Sequence, residues 1–167
     1  MNYKFCPNCK SYLDKKENLY FCKNCGSKIY IDSSPCAGIL PIKDGKVLLS
    51  KRANDPFKGH FDIVGGFLKP GEHPKKAAVR EAKEETGLEV KAVELLGIYM
   101  DKYGKGGEDT LNIHYIGKIV GGKIKAADDA ASLHWISIKN LPKNKLGFKN
   151  TQEALRDLRL QYTGESK

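Results

Sequence analysis

Four of the five cysteines stand in two Cys-x-x-Cys pairs, Cys6-Pro7-Asn8-Cys9 and Cys22-Lys23-Asn24-Cys25. Each pair lets two thiolates reach one ion from a tight turn, and two such turns complete the tetrahedron that Zn²⁺ prefers. The opening residues, Met1 to Cys6, hold no apolar stretch of signal-peptide length, which is the expectation for a cytoplasmic protein. In that setting paired thiols bind metal rather than form disulfides. With cysteine at all four positions no site stays open for water or substrate, so the expected ion is a structural Zn²⁺ held by Cys6, Cys9, Cys22 and Cys25. Few apolar residues lie between Ser11 and Phe21, so the metal would itself supply the core of this segment. The fifth cysteine, Cys36, follows Pro35 at the head of an apolar run and reads as a buried strand thiol. A second cluster of a different kind is formed by Arg80, Glu81, Glu84 and Glu85. On a helix Glu81 and Glu85 share one face and Glu84 lies beside them. Like charges at that spacing repel, and anions in a last turn oppose the helix dipole. Arg80 and Lys83 offset part of this, and a divalent cation would offset the rest, Mg²⁺ being the ion that bridges carboxylates to substrate phosphates. Taken alone, the glutamates read more readily as a solvated acidic face than as a metal site.

The elements that must carry these groups follow from periodicity. Cys36 to Pro41 and Lys46 to Ser50 read as strands joined by Asp44-Gly45, a hairpin turn pair. Phe61 to Val64 reads as a short strand ending at Gly65-Gly66. Pro74 to Thr86 is the clearest helix, with proline in its first turn, Ala77, Ala78 and Ala82 along it, and Gly87 to close it. Val90 to Met100, Leu111 to Val120 and Leu133 to Ile138 read as strands, the first two parted by a glycine-rich loop at Tyr103 to Gly107. A final helix is expected with Asn150 as its cap, Glu153 in the capping-box position and Leu155, Leu158 and Tyr162 as its apolar face. Strands interleaved with two helices indicate an α/β or α+β sandwich. The expected organisation is a small ribbon over residues 1–31 and one larger domain over residues 32–167, a length that buries a sizeable core.

Composition narrows the partners. At 40% hydrophobic and 29% charged residues the 167-residue chain is not of disordered composition, and no apolar run is long enough to span a membrane. The net charge of +9 favours polyanions, whether nucleotides or nucleic acid, and is equally the mark of a lysine-rich solvated surface.

The wider spacing is more specific than either cluster. Gly66, five residues, Glu72, seven residues, Arg80-Glu81, an aliphatic, any residue, Glu84-Glu85, any residue, Gly87 and aliphatic Leu88 resemble the Nudix box at every fixed position. Ala82 is smaller than the usual aliphatic. The resemblance extends more loosely from about Cys36 to Pro142 and implies an α/β/α sandwich with a mixed sheet. It also implies hydrolysis of a phosphoanhydride bond with Mg²⁺ or Mn²⁺. By resemblance Glu81 and Glu85 would be the main metal ligands, Glu84 a further one, and the carbonyl of Gly65 or Gly66 would join them. Arg80 would orient the glutamates with Glu72 as its partner. The family tends to use a later acid six positions before an aromatic. Counting back from Trp135 gives Asp129, an auxiliary ligand or base, although a solvated Asp128-Asp129 turn explains the same residues and the family more often has Glu there.

A four-Cys ribbon joined to such a domain resembles two groups, NADH pyrophosphatases and a shorter ADP-ribose or FAD type. The Ser-Gln-Pro-Trp-Pro-Phe-Pro signature of the NADH group is absent, and Leu95 to Tyr103 stands in its place. The resemblance therefore favours an ADP-ribose-like substrate, with FAD, NADH, sugar nucleotides and oxidised nucleoside triphosphates as alternatives. Arg52 would contact phosphate or adenine, and Phe57, Tyr99 or Tyr103 would stack on a base, each being otherwise a packing residue. A nucleic-acid-binding regulator that uses ribbon and charge, and an RNA decapping hydrolase, are the rival classes. Nudix proteins often form homodimers, and no residue pattern here selects a monomer or a dimer.

Overall fold

The computed structural model describes residues 3–125, 130–142 and 144–164. The chain divides into two compact units, Met1–Ser33 and Ser34–Lys167.

In the first unit, β1 (Asp14–Lys16), β2 (Leu19–Phe21) and β3 (Lys28–Tyr30) form one antiparallel sheet in that order. Each Cys-x-x-Cys pair begins a tight turn: the Lys10 amide donates to the Cys6 carbonyl and the Gly26 amide to the Cys22 carbonyl, both at 2.9 Å. Both closing residues have a positive φ, 62° at Lys10 and 74° at Gly26, so the two knuckles repeat one backbone shape. Tyr20, buried against Tyr3, is the one large apolar side chain fully enclosed among the described residues of this unit.

The second unit is built on a continuous apolar stretch. Strand β4 (Ser34–Lys43) and β5 (Lys46–Arg52) turn on Asp44-Gly45, both at positive φ, as a two-residue hairpin of this composition requires. Short strands β6 (Phe61–Asp62) and β7 (Val64–Phe67) pair with β5 and β4. Helix α1 (Pro74–Thr86) leads to the long strands β8 (Leu88–Lys102) and β9 (Asp109–Gly122). Strand β10 (Ala130–Ser137), a 3₁₀ turn at Ile138–Asn140 and helix α2 (Lys149–Thr163) complete it. The sheet runs β10-β5-β4-β9-β8, with β4 and β9 parallel and every other pairing antiparallel. Because both faces are covered, neighbouring residues on one strand serve opposite cores. Ile39 and Leu48 pack with Ala77, Ala78 and Ala82 of α1, while Leu40, Val47 and Leu49 pack with Ala154, Leu155 and Leu158 of α2. This is the three-layer α/β/α sandwich with a mixed sheet that the sequence led us to expect.

Three local expectations are corrected. The segment from Phe61 is two strands rather than one, because the Ile63 amide turns to the Asp62 carboxylate at 2.9 Å instead of the ladder. Helix α2 starts at Lys149 with Phe148 at its cap, and Asn150 lies inside the first turn, its side chain drawn to Asp101 and His114. Glu153 reaches Lys149 at 3.5 Å in place of a capping-box bond. Tyr162 remains 46% exposed and rests its hydroxyl over Gly45, so only Leu155 and Leu158 of the expected trio are buried. Helix α1 begins at Pro74 as expected, with the His73 ring accepting from the Lys75 amide at 3.1 Å and Gly87 closing it at φ 71°.

Candidate active site

Helix α1 lies close to the sheet because its inward face is alanine. That closeness sets its polar side beside the Gly65-Gly66 backbone of β7. A side-chain carbon at Gly66 would fall 2.7 Å from Glu81 Oε1, so the glutamate carboxylate occupies the place where any other residue would put Cβ. At Gly65 the added carbon would strike the Ala37 carbonyl and the Gly38 backbone, which is why β7 pairs so tightly with β4.

Arg80 organises the carboxylates. Its Nε and Nη2 donate to the two oxygens of Glu72, each at 2.8 Å, in a two-point fork. Its Nη1 donates to Glu81 Oε1 at 2.6 Å and to Glu84 Oε2 at 2.8 Å, and Nη2 also reaches the Phe67 carbonyl at 3.3 Å. The Arg80 fork, with help from the Lys69 amide, holds the Glu72 carboxyl down at about 2. Glu85 turns the other way, one carboxylate oxygen buried, into a cleft of about 140 Å³ that it shares with Gly65 and Gly66. The three helix glutamates do not close on a single point, since Arg80 stands between Glu81 and Glu84. Among the described residues, only the four cysteines bring three or more ligand atoms within 4.8 Å of one another.

The donors nevertheless suit a hard divalent cation in kind and charge. Three carboxylates, Glu72, Glu81 and Glu84, share one guanidinium, with the more distant Lys69 4.0 Å from Glu84, and Glu85 adds a fourth carboxylate at the cleft. Anionic charge left over beside an open cleft is what such an ion neutralises.

Across the cleft stand Arg52, Asp62, Tyr103, His114, Phe148 and Asn150. Asp62 is largely buried and accepts from Arg52 Nη1 at 3.0 Å, the Thr151 hydroxyl at 2.6 Å and the Ile63 amide at 2.9 Å. Burial pushes its carboxyl above the ordinary value against the pull of these donors. Arg52 is further fixed by the Pro56 carbonyl at 2.6 Å and the Tyr103 hydroxyl at 3.4 Å, with its guanidinium 4.9 Å from the Phe148 ring centre. Asp101 can only accept, so it sets the Asn150 amide with Nδ2 toward itself at 3.0 Å and Oδ1 toward His114 Nε2 at 2.9 Å. That leaves His114 neutral with its proton on Nε2, and burial holds its pKa down at about 4.

In the first unit the four sulfurs converge, Cys6 on Cys25 at 3.5 Å and Cys9 on Cys22 at 3.4 Å. The Ser11 hydroxyl and amide lower the Cys9 thiol to about 5.

The sequence-derived residues are thus distributed unevenly. Gly65, Glu85, Arg52 and Tyr103 line the cleft, and Arg80, Glu81 and Glu84 stand at its edge. Phe57 packs behind Phe148, ring centres 4.9 Å apart, and is not a lining residue. Tyr99, expected as a base-stacking candidate, is buried and donates its hydroxyl to Asp157 at 3.2 Å. Asp128 and Asp129 lie outside the described residues. Cys36 is only partly buried and lines the cleft, where burial beside Asp62 and Glu81 raises its thiol to about 12. Phe67, Phe148, Asp62, His114 and Asn150 had not been singled out as site residues. A charge inside the apolar run Phe61-Asp62-Ile63-Val64, and a histidine in an otherwise apolar strand, were the signals available for two of them.

A model of the NUDIX domain matches residues 33–158. The chain is 40% identical over 116 residues to the ADP-ribose pyrophosphatase of Methanocaldococcus jannaschii, covering 70% of this chain and 69% of that protein. It is 25% identical over 142 residues to the NAD-capped RNA hydrolase NudC of Vibrio atlanticus, covering 83% of this chain but 51% of that one, so it spans about half the length of such relatives. In fold it is similar to a crystal structure of a NUDIX hydrolase from Nitrosomonas europaea, with TM-score 0.83 and 21% identity over 98% of this chain and 94% of that one. It is also similar to the NUDIX domain of Shewanella oneidensis NrtR in its cocrystal with ADP ribose, with TM-score 0.65 and 17% identity over 78% and 89% of the two chains. With three-quarters of its length under one family model and the Arg80–glutamate constellation in place, the chain belongs to the NUDIX family and is a hydrolase of that type.

Proposed function

We propose that this protein is a divalent-cation-dependent hydrolase that cleaves the diphosphate of a nucleoside diphosphate-linked small molecule, with ADP-ribose as the favoured kind of substrate. The observation that carries the reading is Glu81 lying on the bare backbone of Gly66 in the grip of Arg80, with Glu85 at the wall of the cleft beside it. The 40% identity to an ADP-ribose pyrophosphatase supports the choice of substrate.

In this reading Glu81 and Glu85 would hold Mg²⁺ or Mn²⁺, with Glu84 and the Gly65 carbonyl as further ligands. Such an ion would supply neutralisation of phosphate charge and a lower pKa for the attacking water. Arg80 touches no substrate. It keeps Glu81 and Glu84 aimed, and Glu72 keeps Arg80 aimed. Glu81 or Asp129 takes the proton of the attacking water. The water oxygen bonds to one phosphorus as that phosphorus loses its bond to the bridging oxygen, which leaves with the other phosphate, so the products are two phosphate monoesters. Arg52 and Tyr103, with Phe57 behind them, bind the nucleoside side. Cys6, Cys9, Cys22 and Cys25 hold a structural Zn²⁺ that orders residues 1–31, consistent with a cytoplasmic setting of reduced thiols. No helix among the described residues is long and apolar enough to cross a membrane.

The test is incubation with Mg²⁺ or Mn²⁺ and ADP-ribose, FAD, NADH, a sugar nucleotide, an oxidised dGTP or a capped RNA, with Glu85→Gln as control. ADP-ribose giving AMP and ribose phosphate, and a dead control, is the expected result. A second reading, hydrolysis of a capped RNA, is favoured by the match to NudC relatives over 83% of this chain. Higher turnover on the capped oligonucleotide than on free dinucleotides selects it. No turnover on any substrate, with salt-sensitive nucleic-acid binding, selects a regulator instead.

A further inference from the structure

The first unit has a surface that neither the four cysteines nor the cleft of the second unit uses. Among its described residues the large apolar side chains left open are Tyr3, Phe5, Tyr12 and Tyr30, all aromatic, with Phe5 52% and Tyr12 76% exposed. The second unit instead opens mostly aliphatic side chains, as at Leu95, Ile98 and Met100. Phe5 and Tyr12 stand opposite each other on the two arms of the first knuckle. On either side of them the Cys6 amide donates to the Ser11 carbonyl at 2.8 Å and the Leu13 amide to the Lys4 carbonyl at 3.0 Å. That makes Phe5 and Tyr12 a non-hydrogen-bonded pair, the kind whose side chains come closest. Their rings share one face, with centres 4.9 Å apart and a tilt of 42°. The second knuckle repeats the bond, Cys22 amide to Ser27 carbonyl at 2.8 Å, and there Phe21 stands opposite the exposed Lys28.

A single open ring is ordinary, whereas two facing rings held open together on a fixed hairpin mark a contact surface. The charges beside them say what kind. Residues 1–33 hold six lysines, three acids and no arginine, and one lysine and one acid are joined in the Lys23–Asp14 pair at 3.3 Å. Protein interfaces also favour aromatic side chains, but they enrich arginine and deplete lysine, the opposite of this unit. Open rings with lysines suit unpaired nucleobases, because every base has a face to stack and each ammonium can meet a phosphate. We infer that the Phe5–Tyr12 pair, with the lysines of the same unit, is a platform for single-stranded nucleic acid. The surplus of lysine over acid is small, so stacking carries most of the affinity and phosphate contacts are few. The platform is separate from the question of which diphosphate the second unit cleaves.

The experiment uses the full chain, purified without chelator, and follows fluorescence anisotropy of a labelled short single-stranded RNA, a DNA of the same sequence, and the RNA as a duplex. The expected result is that Tyr12→Ala and Phe5→Ala each raise Kd for single strands about ten-fold at unchanged salt dependence, while Tyr12→Phe keeps the wild-type value. The duplex, whose bases are already stacked, should bind more weakly than either strand. Binding of RNA or of DNA supports the platform, and the tighter of the two names its source. Zinc content and the melting curve of each variant check the fold. Should Phe5→Ala lose both, the more exposed Tyr12 decides. A Kd for Tyr12→Ala within two-fold of wild type, a duplex bound as tightly as the single strand, or no binding of either strand by wild type at low salt overturns the inference. Each of those results leaves the hydrolase reading intact.

Discussion

His114 offers a stability test whose size follows from its surroundings. The ring is 5% exposed, between Gly38 of β4, Ile63, the Tyr99 ring of β8 at 5.5 Å and Asn150 of α2. The closest carboxylate in this chain of contacts, Asp101, is used by Asn150 and reaches the ring only through it. Nothing in that list accepts a proton from Nδ1, so burial lowers the pKa from 6.5 to about 4. Between those values the unfolded chain holds a proton that the native one does not, so stability falls as pH falls through this window. Each pH unit of the gap is worth about 1.4 kcal/mol, so the whole window amounts to about 3 kcal/mol, and about 2 kcal/mol of it is lost by pH 5. Replacing His114 with Gln removes the titration and keeps a donor for Asn150. Urea unfolding at pH 8 and pH 5 should show wild type losing about 2 kcal/mol more than His114→Gln, with contributions from the cysteines and carboxylates cancelling in the difference. Parallel losses, within about 0.5 kcal/mol, would refute the argument.

The paired glycines separate structure from chemistry. Gly66→Ala presses a carbon onto Glu81 at 2.7 Å and should lower kcat/KM at least about ten-fold with little change in melting temperature, because the carboxylate can swing aside. Gly65→Ala meets backbone that cannot yield and should destabilise by about 1–3 kcal/mol, read by thermal unfolding. Asp62→Asn puts an amide donor against Arg52. A double-mutant cycle with Arg52→Met, read by urea unfolding, should show coupling of about 1–3 kcal/mol, and independent effects of the two changes would contradict the ion pair. Cys25→Ser should cost the protein about one zinc per chain by elemental analysis while the unfolding transition of residues 34–167 persists. Full zinc retention would count against the four-cysteine site.

Much of the site was legible because its spacing is local. A helix fixes which glutamates share a face, a proline and a glycine mark its ends, and two Cys-x-x-Cys turns aim four thiols at one point whatever surrounds them. The central strands were legible for the same reason, each being an apolar run that ends in turn residues. What the residues alone left open was everything decided across sequence distance. Asn150 has the composition of a helix cap, but Asp101, 49 positions away, and His114 take its amide, so the helix starts at Lys149 and Phe148 stands at the cap position without a side-chain bond. Tyr99 and Phe67 are both aromatics in strands. Strand pairing turns Tyr99 inward to Asp157 and leaves Phe67 at the cleft beside Tyr103. Asp62 is one acid among many in the sequence, and only its place between Arg52 and Thr151 makes it a fixed group of the cleft wall. Composition and period assign a residue to an element, but which solvent-excluded partner it meets depends on the register and packing of elements far apart in the chain, and that is where the wall of this cleft facing the glutamates was decided.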